Sequence, residues 1–370
     1  MIKNKKQPSK TAMLDMIRRG GIAFPPLTFR LLEAAPPAAA PNGIDAIIEG
    51  AWDAAKARFA VAAMALSTPK AFFTAISVLK ASRLPDGCRP MVMMPFLAGD
   101  HLGELERSGM SGIDLCGNGV VIIPGRLFIA RSGNKNCFST YAPIKNVYRK
   151  NSSLVGRMLL SYPVLSSVKN AVETVGAFDT LAAAALKKPL TFATVSKVLA
   201  GMEQDLLVAR EKGALRLLQP DVLLEKLALN YTQPQCAASI AVKVRTGKLP
   251  LEKLLLRESL AQNLPVMATG LSSVSRYAVM QRGEMLSIYC PGADDLLKRL
   301  PATASDRFPN LEIIETRDAE VYFDARREQG FCWASPVQTF LELMQGDKRD
   351  RETAQRIKTV IVDRVRTKVP

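Results

Sequence analysis

The predicted fold and function of this chain depend most on residues 179–208, DTLAAAALKKPLTFATVSKVLAGMEQDLLV. Its apolar run from Thr180 to Leu186 predicts a short helix. The polar break Lys187-Lys188-Pro189 ends that helix, because proline cannot continue it, and a second helix is predicted to open after Thr191. Two helices joined by a tight polar break are in the order of a helix-turn-helix.

The second helix of this pair is predicted to have one buried and one exposed face. Apolar residues at i, i+4, i+7 and i+11 form the buried face: Val195, Leu199, Met202 and Leu206. The opposite face near the N-terminus, which meets base edges in such motifs, carries Phe192, Ala193, Ser196 and Lys197. Thr191 is the expected N-cap, and the free N–H groups of the first turn suit a phosphate.

The residues that follow, VAREKGALRLL at 208–218, predict a β-hairpin that turns at Gly213, like the wing of a winged helix. Cations beside the helix and in the hairpin complete the candidate DNA contacts: Lys187, Lys188, Arg210 and Lys212. Helix pairs with a polar break also occur in many helix-rich proteins, so a purely structural pair is the alternative interpretation.

The composition indicates a globular protein with a polyanionic partner. A chain of 370 residues predicts two or three domains, and its net charge of +16 favours nucleic acid over a neutral ligand. Basic charge alone does not distinguish DNA, RNA and anionic lipid. No run of 18 apolar residues is present to span a bilayer, so we expect a soluble protein, and no membrane partner is predicted.

Cysteine and histidine usage argues against a metal or disulfide framework. The six cysteines form no C-x-x-C pair, and His101 is the one histidine of the chain, so we expect neither a structural zinc nor a disulfide framework. No cofactor is predicted. The N-terminus, MIKNKKQPSKTAMLDMIRRG, is basic but lacks the apolar core of a signal peptide, so a cytoplasmic location is expected.

Residues 1–145 predict an α/β domain with three layers. A basic tail and one amphipathic helix occupy residues 1–35, and a Pro/Ala-rich turn follows. The succeeding elements are expected to be strands at 43–50 and 57–65, a helix at 68–81 with Pro69 in its first turn, a strand at 90–97, a helix at 100–108, and extended pieces at Ile113, Val120 and Leu127. Residues 112–119 are predicted to be a tight strand connection rather than a ligand loop.

That order of elements resembles the restriction-endonuclease-like fold. Active members of the family place one acidic residue on a strand and a (D/E)-x-K on the next, where they hold a metal ion and activate water. Asp45 occupies the position of the first acid, but the next strand carries Ala62-Ala63-Met64 instead of the acid and lysine. The resemblance therefore implies a nuclease-like scaffold without the catalytic set.

The remaining residues are predicted to form a DNA-binding domain at 146–236 and an α/β domain at 237–370. Residues 132–150 are a basic linker, with Tyr141, Tyr148 and several cations, that either contacts phosphates or only connects domains. In the last domain, Gly270 to Arg276 after a strand either seats a phosphate or starts a capped helix. Further expectations are a strand at 321–323, a Ser335-capped helix with a buried stripe of Val337, Phe340, Leu341 and Met344, and a solvated turn at 346–352.

Four segments together resemble the AbiEi-family antitoxins, transcriptional regulators of type IV toxin–antitoxin systems. They are LAAAALKKPLTFATVSKVLAGMEQDLLV, GLSSVSRYAVMQRGEMLSIYC, DRFPNLEIIET and FCWASPVQTFLELMQGDKRDRETAQ. The resemblance implies an α/β (α+β) multidomain protein with a winged helix-turn-helix and a C-terminal antitoxin domain. It also implies repression through inverted repeats, which would place two copies on the operator, and neutralisation of a nucleotidyltransferase-like toxin without a stable complex.

The leading hypothesis from the sequence is a non-enzymatic, sequence-specific DNA-binding repressor with an antitoxin function. Two alternatives belong to other classes: a metal-dependent nuclease that uses Asp45, and a nucleotide-binding protein that uses the loop at 270–276. A large domain before the winged helix, and a long connection from Ser161 to Phe178, are departures from the short members of the family.

Overall fold

The computed structural model of the protein describes residues 6–34, 43–138, 146–178, 190–247, 249–279, 285–304 and 308–368. Within these ranges the fold is mixed α/β, with twelve α-helices and three multi-stranded sheets. The chain divides into two units, Met1–Lys145 with Gln204–Leu206, and Asn146–Glu203 with Leu207–Pro370. None of the helices in the described ranges is long and apolar enough to cross a membrane.

A seven-stranded sheet organises the N-terminal unit. Its strands are β1 (Thr28–Ala34), β2 (Ala46–Trp52), β3 (Ala55–Ala63), β4 (Cys88–Met94), β5 (Ser111–Asp114), β6 (Gly119–Ile123) and β7 (Leu127–Arg131), and they lie side by side in chain order. β3 and β4, like β4 and β5, pair parallel, and the other neighbours pair antiparallel. The two parallel pairs are connected through helices, as parallel strands require.

Both faces of this sheet are covered by helices α1 (Lys10–Arg18), α2 (Pro69–Ala81) and α3 (Gly99–Arg107). Side chains alternate between the two faces, so Val61 and Ala63 pack with α1 whereas Ala62 packs with α2 and α3. Thr68 caps α2 by accepting a hydrogen bond from Ala71 N, with Pro69 at its first position. The predicted helix at 68–81 is therefore confirmed.

Strand β1 is absent from the sequence-based prediction, which assigned one helix to residues 1–35. The segment TFRLLEA lies at the edge of the sheet, and only Phe29 within it is fully buried. Its pairing with β2 shifts register between Leu31 and Glu33. An irregular edge strand lacks the clean alternation on which the prediction depends.

Asp114 fixes the connection between β5 and β6. Its buried carboxylate accepts four hydrogen bonds of 2.7–2.9 Å, from Leu97 N, Cys116 N, Asn118 N and Asn118 Nδ2. Gly117 supplies the positive φ of this turn, at 90°. The prediction of a tight strand connection at 112–119 is confirmed.

The C-terminal unit begins with four helices and a small sheet. The helices are α4 (Ser153–Ser161), α5 (Val168–Ala177), α6 (Phe192–Gln204) and α7 (Pro220–Asn230). The strands are β8 (Val164–Leu165), β9 (Val208–Glu211) and β10 (Ala214–Leu217), and their order in the antiparallel sheet is β8-β10-β9. The hairpin of β9 and β10 was predicted, whereas the two-residue strand β8 is too short to show a period.

A second seven-stranded sheet forms the rest of this unit. Its strands are β11 (Cys236–Val244), β12 (Met267–Ala268), β13 (Leu286–Cys290), β14 (Ala302–Ala304), β15 (Leu311–Thr316), β16 (Arg326–Glu328) and β17 (Phe331–Trp333), in the order β14-β11-β15-β13-β12-β17-β16. The helices are α8 (Leu251–Gln262), α9 (Gly270–Ser273), α10 (Ala293–Leu297), α11 (Pro336–Leu343) and α12 (Lys348–Arg366). Helices α8 and α10 pack on one face of the sheet.

Two predictions in this region are wrong. Residues 321–323 form a turn rather than a strand, although Val321, Tyr322 and Phe323 are all buried. Residues 346–352 are not only a solvated turn, since α12 begins at Lys348, where Asp347 caps it by accepting a hydrogen bond from Asp350 N. Three apolar residues in a row are expected of a strand, but burial by surrounding elements produces the same pattern in a turn.

Gly119 tests how tightly the N-terminal core is packed. A Cβ atom at Gly119 would lie 2.6 Å from Gly112 O and 2.9 Å from the Phe24 ring, so we expect Gly119→Ala to lower the free energy of unfolding by about 1–3 kcal/mol. Gly103→Ala in α3 is the matched control, because its Cβ meets no atom within 4 Å. Urea unfolding should show a loss for the first variant alone; equal midpoints for both would contradict the packing.

Candidate nucleic-acid interface

Helix α6 and its N-cap together carry five of the residues predicted to contact DNA, and all five lie at the N-terminal end of the helix. Thr191 Oγ1 accepts a hydrogen bond of 3.2 Å from Thr194 N, and Thr191 O accepts one of 3.0 Å from Val195 N. Thr191 is therefore the N-cap of α6, as predicted. Capping fixes the start of the helix, so the side chains of its first two turns have defined directions.

The two faces of α6 differ in burial as the periodicity predicts. Val195, Val198, Leu199 and Met202 are buried. Thr191, Ala193 and Lys197 are exposed, Ser196 is half-buried, and Phe192 is 56% exposed. One residue was misplaced: Leu206 lies beyond the end of the helix at Gln204, with a φ of 58° that a continuing helix does not permit.

The hairpin after α6 turns through two residues that both have positive φ, Lys212 at 50° and Gly213 at 90°. Such a turn matches the twist of two antiparallel strands and places Lys212 at the tip. Arg210 is exposed on β9, and its Nε lies 3.9 Å from Glu203 Oε2 in the last turn of α6. Arg216, which the sequence-based list missed, is half-exposed between buried Leu215 and Leu217.

The candidate residues thus form two groups along α6. Thr191 and Lys197 belong to its first two turns, and Arg210 lies beside its last turn. Twelve residues of helix separate Thr191 from Glu203, or roughly 18 Å at 1.5 Å per residue. A nucleic acid that contacts both groups would have to extend along α6.

Two of the predicted DNA contacts, Lys187 and Lys188, lie outside the described residues. The same is true of the first helix of the predicted pair, Thr180 to Leu186, and of Tyr141 and Lys145 in the linker. These assignments stay predictions.

Close packing against α4 holds α6 in place. At Gly156 of α4, an added Cβ would lie 3.0 Å from Met202 Cε and 3.2 Å from a methyl carbon of Leu223. Gly201 of α6 is similarly close to Val147. Gly156 allows α4 and α6 to approach, and Gly201 allows the turn at Val147 to pack on α6, so the buried face of α6 is tightly packed.

A buried polar chain begins one residue after Gly156. Arg157 Nη1 donates hydrogen bonds of 2.8 Å to Glu320 O and to Gln338 Oε1. Gln338 Nε2 in turn donates to Tyr231 Oη at 3.0 Å and to Glu342 Oε1 at 2.8 Å. This chain, which we call the Arg157 network, connects α4 to α11 within the C-terminal unit.

Burial dominates the electrostatics of the Arg157 network. Burial lowers the pKa of Arg157 and raises the pKa of Glu342, because each charge has left water. Hydrogen bonds from Gln338, Leu271 N and Tyr289 Oη stabilise the Glu342 carboxylate in opposition to that effect. Sequence reasoning missed Arg157, although one arginine within the apolar run LVGRMLL is a signal of a buried cation.

At both alternative sites suggested by the sequence, Asp45 and the loop at 270–276, groups of the protein itself already form the hydrogen bonds that a ligand would need. Asp45 forms an ion pair of 3.0 Å with Lys10 and accepts a hydrogen bond of 2.8 Å from Ala63 N. At the start of α9, Thr269 is the N-cap, and the Glu342 carboxylate accepts a hydrogen bond of 3.2 Å from Leu271 N. A phosphate bound at Gly270 would therefore lie beside the Glu342 carboxylate, which already occupies this helix start.

Comparisons with protein families, with characterised proteins and with solved structures found no match to this chain.

The Thr191 cap can be tested without changing charge. Thr191→Val keeps the shape of the side chain but removes the oxygen that accepts from Thr194 N, so we expect a loss of about 1 kcal/mol in unfolding free energy. Thr191→Ser keeps the acceptor and should lose much less. Hydrogen exchange at Thr194 N should become faster in the valine variant only; equal exchange in both variants would argue against the cap.

The pKa of Glu342 predicts a pH dependence of stability. Because the pKa is raised in the folded protein, the contribution of Glu342 is complete below its ordinary value of 4.5 and is lost as pH rises through the raised value. Glu342→Gln does not titrate. The variant should therefore gain stability relative to the natural protein between acid and neutral pH, as measured by urea unfolding at both. A difference that is independent of pH would contradict this assignment.

Proposed function

We propose that the protein is a sequence-specific DNA-binding transcriptional repressor without enzymatic activity. The observation that carries this proposal is the N-terminal face of α6, which is capped by Thr191, exposes Phe192 and Lys197, and leads into a hairpin with a lysine at its tip. Lysine and serine at a helix start can bind base edges or phosphates, and an exposed phenylalanine suits the methyl group of thymine.

The order of elements around α6 supports a winged helix-turn-helix. Helix α4, strand β8, helix α5, helix α6 and the hairpin of β9 and β10 follow one another, and the three strands form one sheet. In that arrangement α6 is the recognition helix and the hairpin is the wing. With β8 counted as its first strand, the long connection between α4 and α6 is part of the motif.

The charge of the chain supports a polyanionic partner. An excess of 16 positive charges attracts phosphates regardless of sequence, and Arg210, Lys212 and Arg216 place three cations in one hairpin. Such contacts would contribute affinity and orientation, while the first turns of α6 would provide sequence discrimination.

The similarity to AbiEi-family antitoxins extends this proposal to a type IV toxin–antitoxin operon. In that case the chain would bind an operator with inverted repeats as two copies, in the cytoplasm. Residues 237–370 would form the α/β domain that counters a nucleotidyltransferase-like toxin without a stable complex. Support for this step rests on the four sequence segments that carry the resemblance.

For the N-terminal unit we propose a restriction-endonuclease-like scaffold without nuclease activity. The contacts of Asp45 support this, since Lys10 and Ala63 N occupy the carboxylate that a catalytic metal ion would need. The end of strand β3 and the residue after it also carry Ala62-Ala63-Met64, beside Asp45, where active members have the (D/E)-x-K motif.

Replacing the side chains at the proposed reading face should weaken operator binding without unfolding the protein. We expect the double variant Ser196→Ala and Lys197→Ala to lose about 1–3 kcal/mol of specific binding free energy. Lys253→Ala, which removes an equal charge from an exposed position on α8, is the control and should retain binding. A gel shift that is unchanged in the double variant would exclude α6 as the reading helix.

A footprint on the DNA upstream of the protein's own gene tests the function itself. With random DNA as competitor, we expect two protected half-sites, and an affinity that falls as salt rises, because each phosphate contact releases counterions. Binding that depends on salt but is indifferent to sequence would reduce the role of α6 to general attachment. Cleavage of the DNA in the presence of Mg²⁺, abolished by Asp45→Ala, would instead establish a nuclease.

A further inference from the structure

The C-terminal unit contains a cleft that the proposed DNA contacts do not use. Its volume is about 360 Å³, which is within the size range of small-molecule sites. Three segments and Leu341 of α11 line it: residues 148–157 up to the middle of α4, the end of α7 with residues 231–235, and residues 317–321. Residues far apart in sequence therefore converge on one concave surface.

Cations outnumber anions around the cleft. Four of its lining residues are positively charged, Arg149, Lys150, Arg157 and Arg317, against the two carboxylates of Asp318 and Glu320. The Asp318 carboxylate already accepts a hydrogen bond of 2.8 Å from Gln235 N. Within the described part of the chain, the three exposed cations Arg149, Lys150 and Arg317 form no ion pair, so their charges are available to a ligand.

Arg157 is the buried cation of this cleft, with 4% of its surface exposed. Both acceptors of its Nη1 are neutral amide oxygens, Glu320 O and Gln338 Oε1. Its Nε has no hydrogen-bond partner among the described residues. No carboxylate among the described residues accepts a hydrogen bond from Arg157, although Glu320 and Glu342 offset part of its charge, so the buried guanidinium contributes positive potential to the cleft.

We propose that this cleft binds a small organic anion whose carboxylate or phosphate group pairs with the exposed cations Arg149, Lys150 and Arg317, while the buried guanidinium of Arg157 adds to the positive potential of the lining. Arg149, Lys150 and Arg317 surround the bound anion and attract it from solution. The side chains of Thr232 and Gln233 line the same cleft and provide hydrogen bonds to the rest of the bound anion. This site stands independently of the proposed DNA binding.

Titration calorimetry of the full chain tests the proposal with three probes: inorganic phosphate, citrate and adenosine monophosphate. Sodium chloride at equal ionic strength serves as the reference. We expect saturable binding of at least one probe, and the probe that binds distinguishes a phosphate site from a carboxylate site. Failure of all three probes to bind would overturn the proposal.

Variants at the cleft separate a built site from general attraction to positive charge. The double variant Arg149→Ser and Arg317→Ser changes exposed side chains, so it should fold, and we expect at least a tenfold loss of affinity. Arg349→Ser with Arg356→Ser removes the same charge from exposed positions on α12 and should leave affinity unchanged. Equal losses in the two double variants would overturn the proposal.

Arg157 itself can be observed directly by nuclear magnetic resonance. The Nε–H signal of Arg157 should shift on saturation with the probe that binds, because an anion in the cleft changes the electric field at the guanidinium. A probe that binds without shifting the Arg157 signal would place the site elsewhere and overturn the proposal.

Discussion

The Arg157 network is the constraint on which the C-terminal unit depends. Arg157 comes from α4, Gln338 and Glu342 from α11, and Tyr231 from the segment after α7, so one hydrogen-bonded chain joins the helices near α6 to the second sheet. Removing any member would leave a buried polar group without a partner, which costs more than the bond contributes. Residues 146–203 and 207–370 thus share buried interactions within one compact unit.

Local signals predicted the parts of the fold that local chemistry determines. The cap and proline at Thr68 and Pro69, and the cap at Ser335, each mark a helix start that the structure has at the same residue. Elements that depend on distant neighbours were missed. Strand β8 has two residues and exists because β10 pairs with it, and the buried turn at 321–323 looks apolar because other elements cover it.

The candidate nucleic-acid interface likewise contains local features that the sequence predicted and distant contacts that it did not. Helical periodicity was sufficient to separate exposed Phe192, Ala193 and Lys197 from buried Val195 and Leu199, because both faces belong to one helix. The partners of Arg157 could not be predicted, since Gln338 lies 181 positions further along the chain. Spacing within a segment carries no information about such a contact.

The two-residue turn at Lys212 and Gly213 also limits how this protein can change over evolution. Strands β9 and β10 pair residue by residue, with Arg210 opposite Leu215 and Ala209 opposite Arg216. One inserted residue that shifted this register would exchange the buried and exposed sides of a strand, exposing Leu215 and Leu217 and burying Arg216. Most surface turns tolerate changes in loop length. In this hairpin, a change in loop length would also change which side chains can reach a partner. Homologous chains should therefore diverge in residue type at this hairpin more readily than in its length.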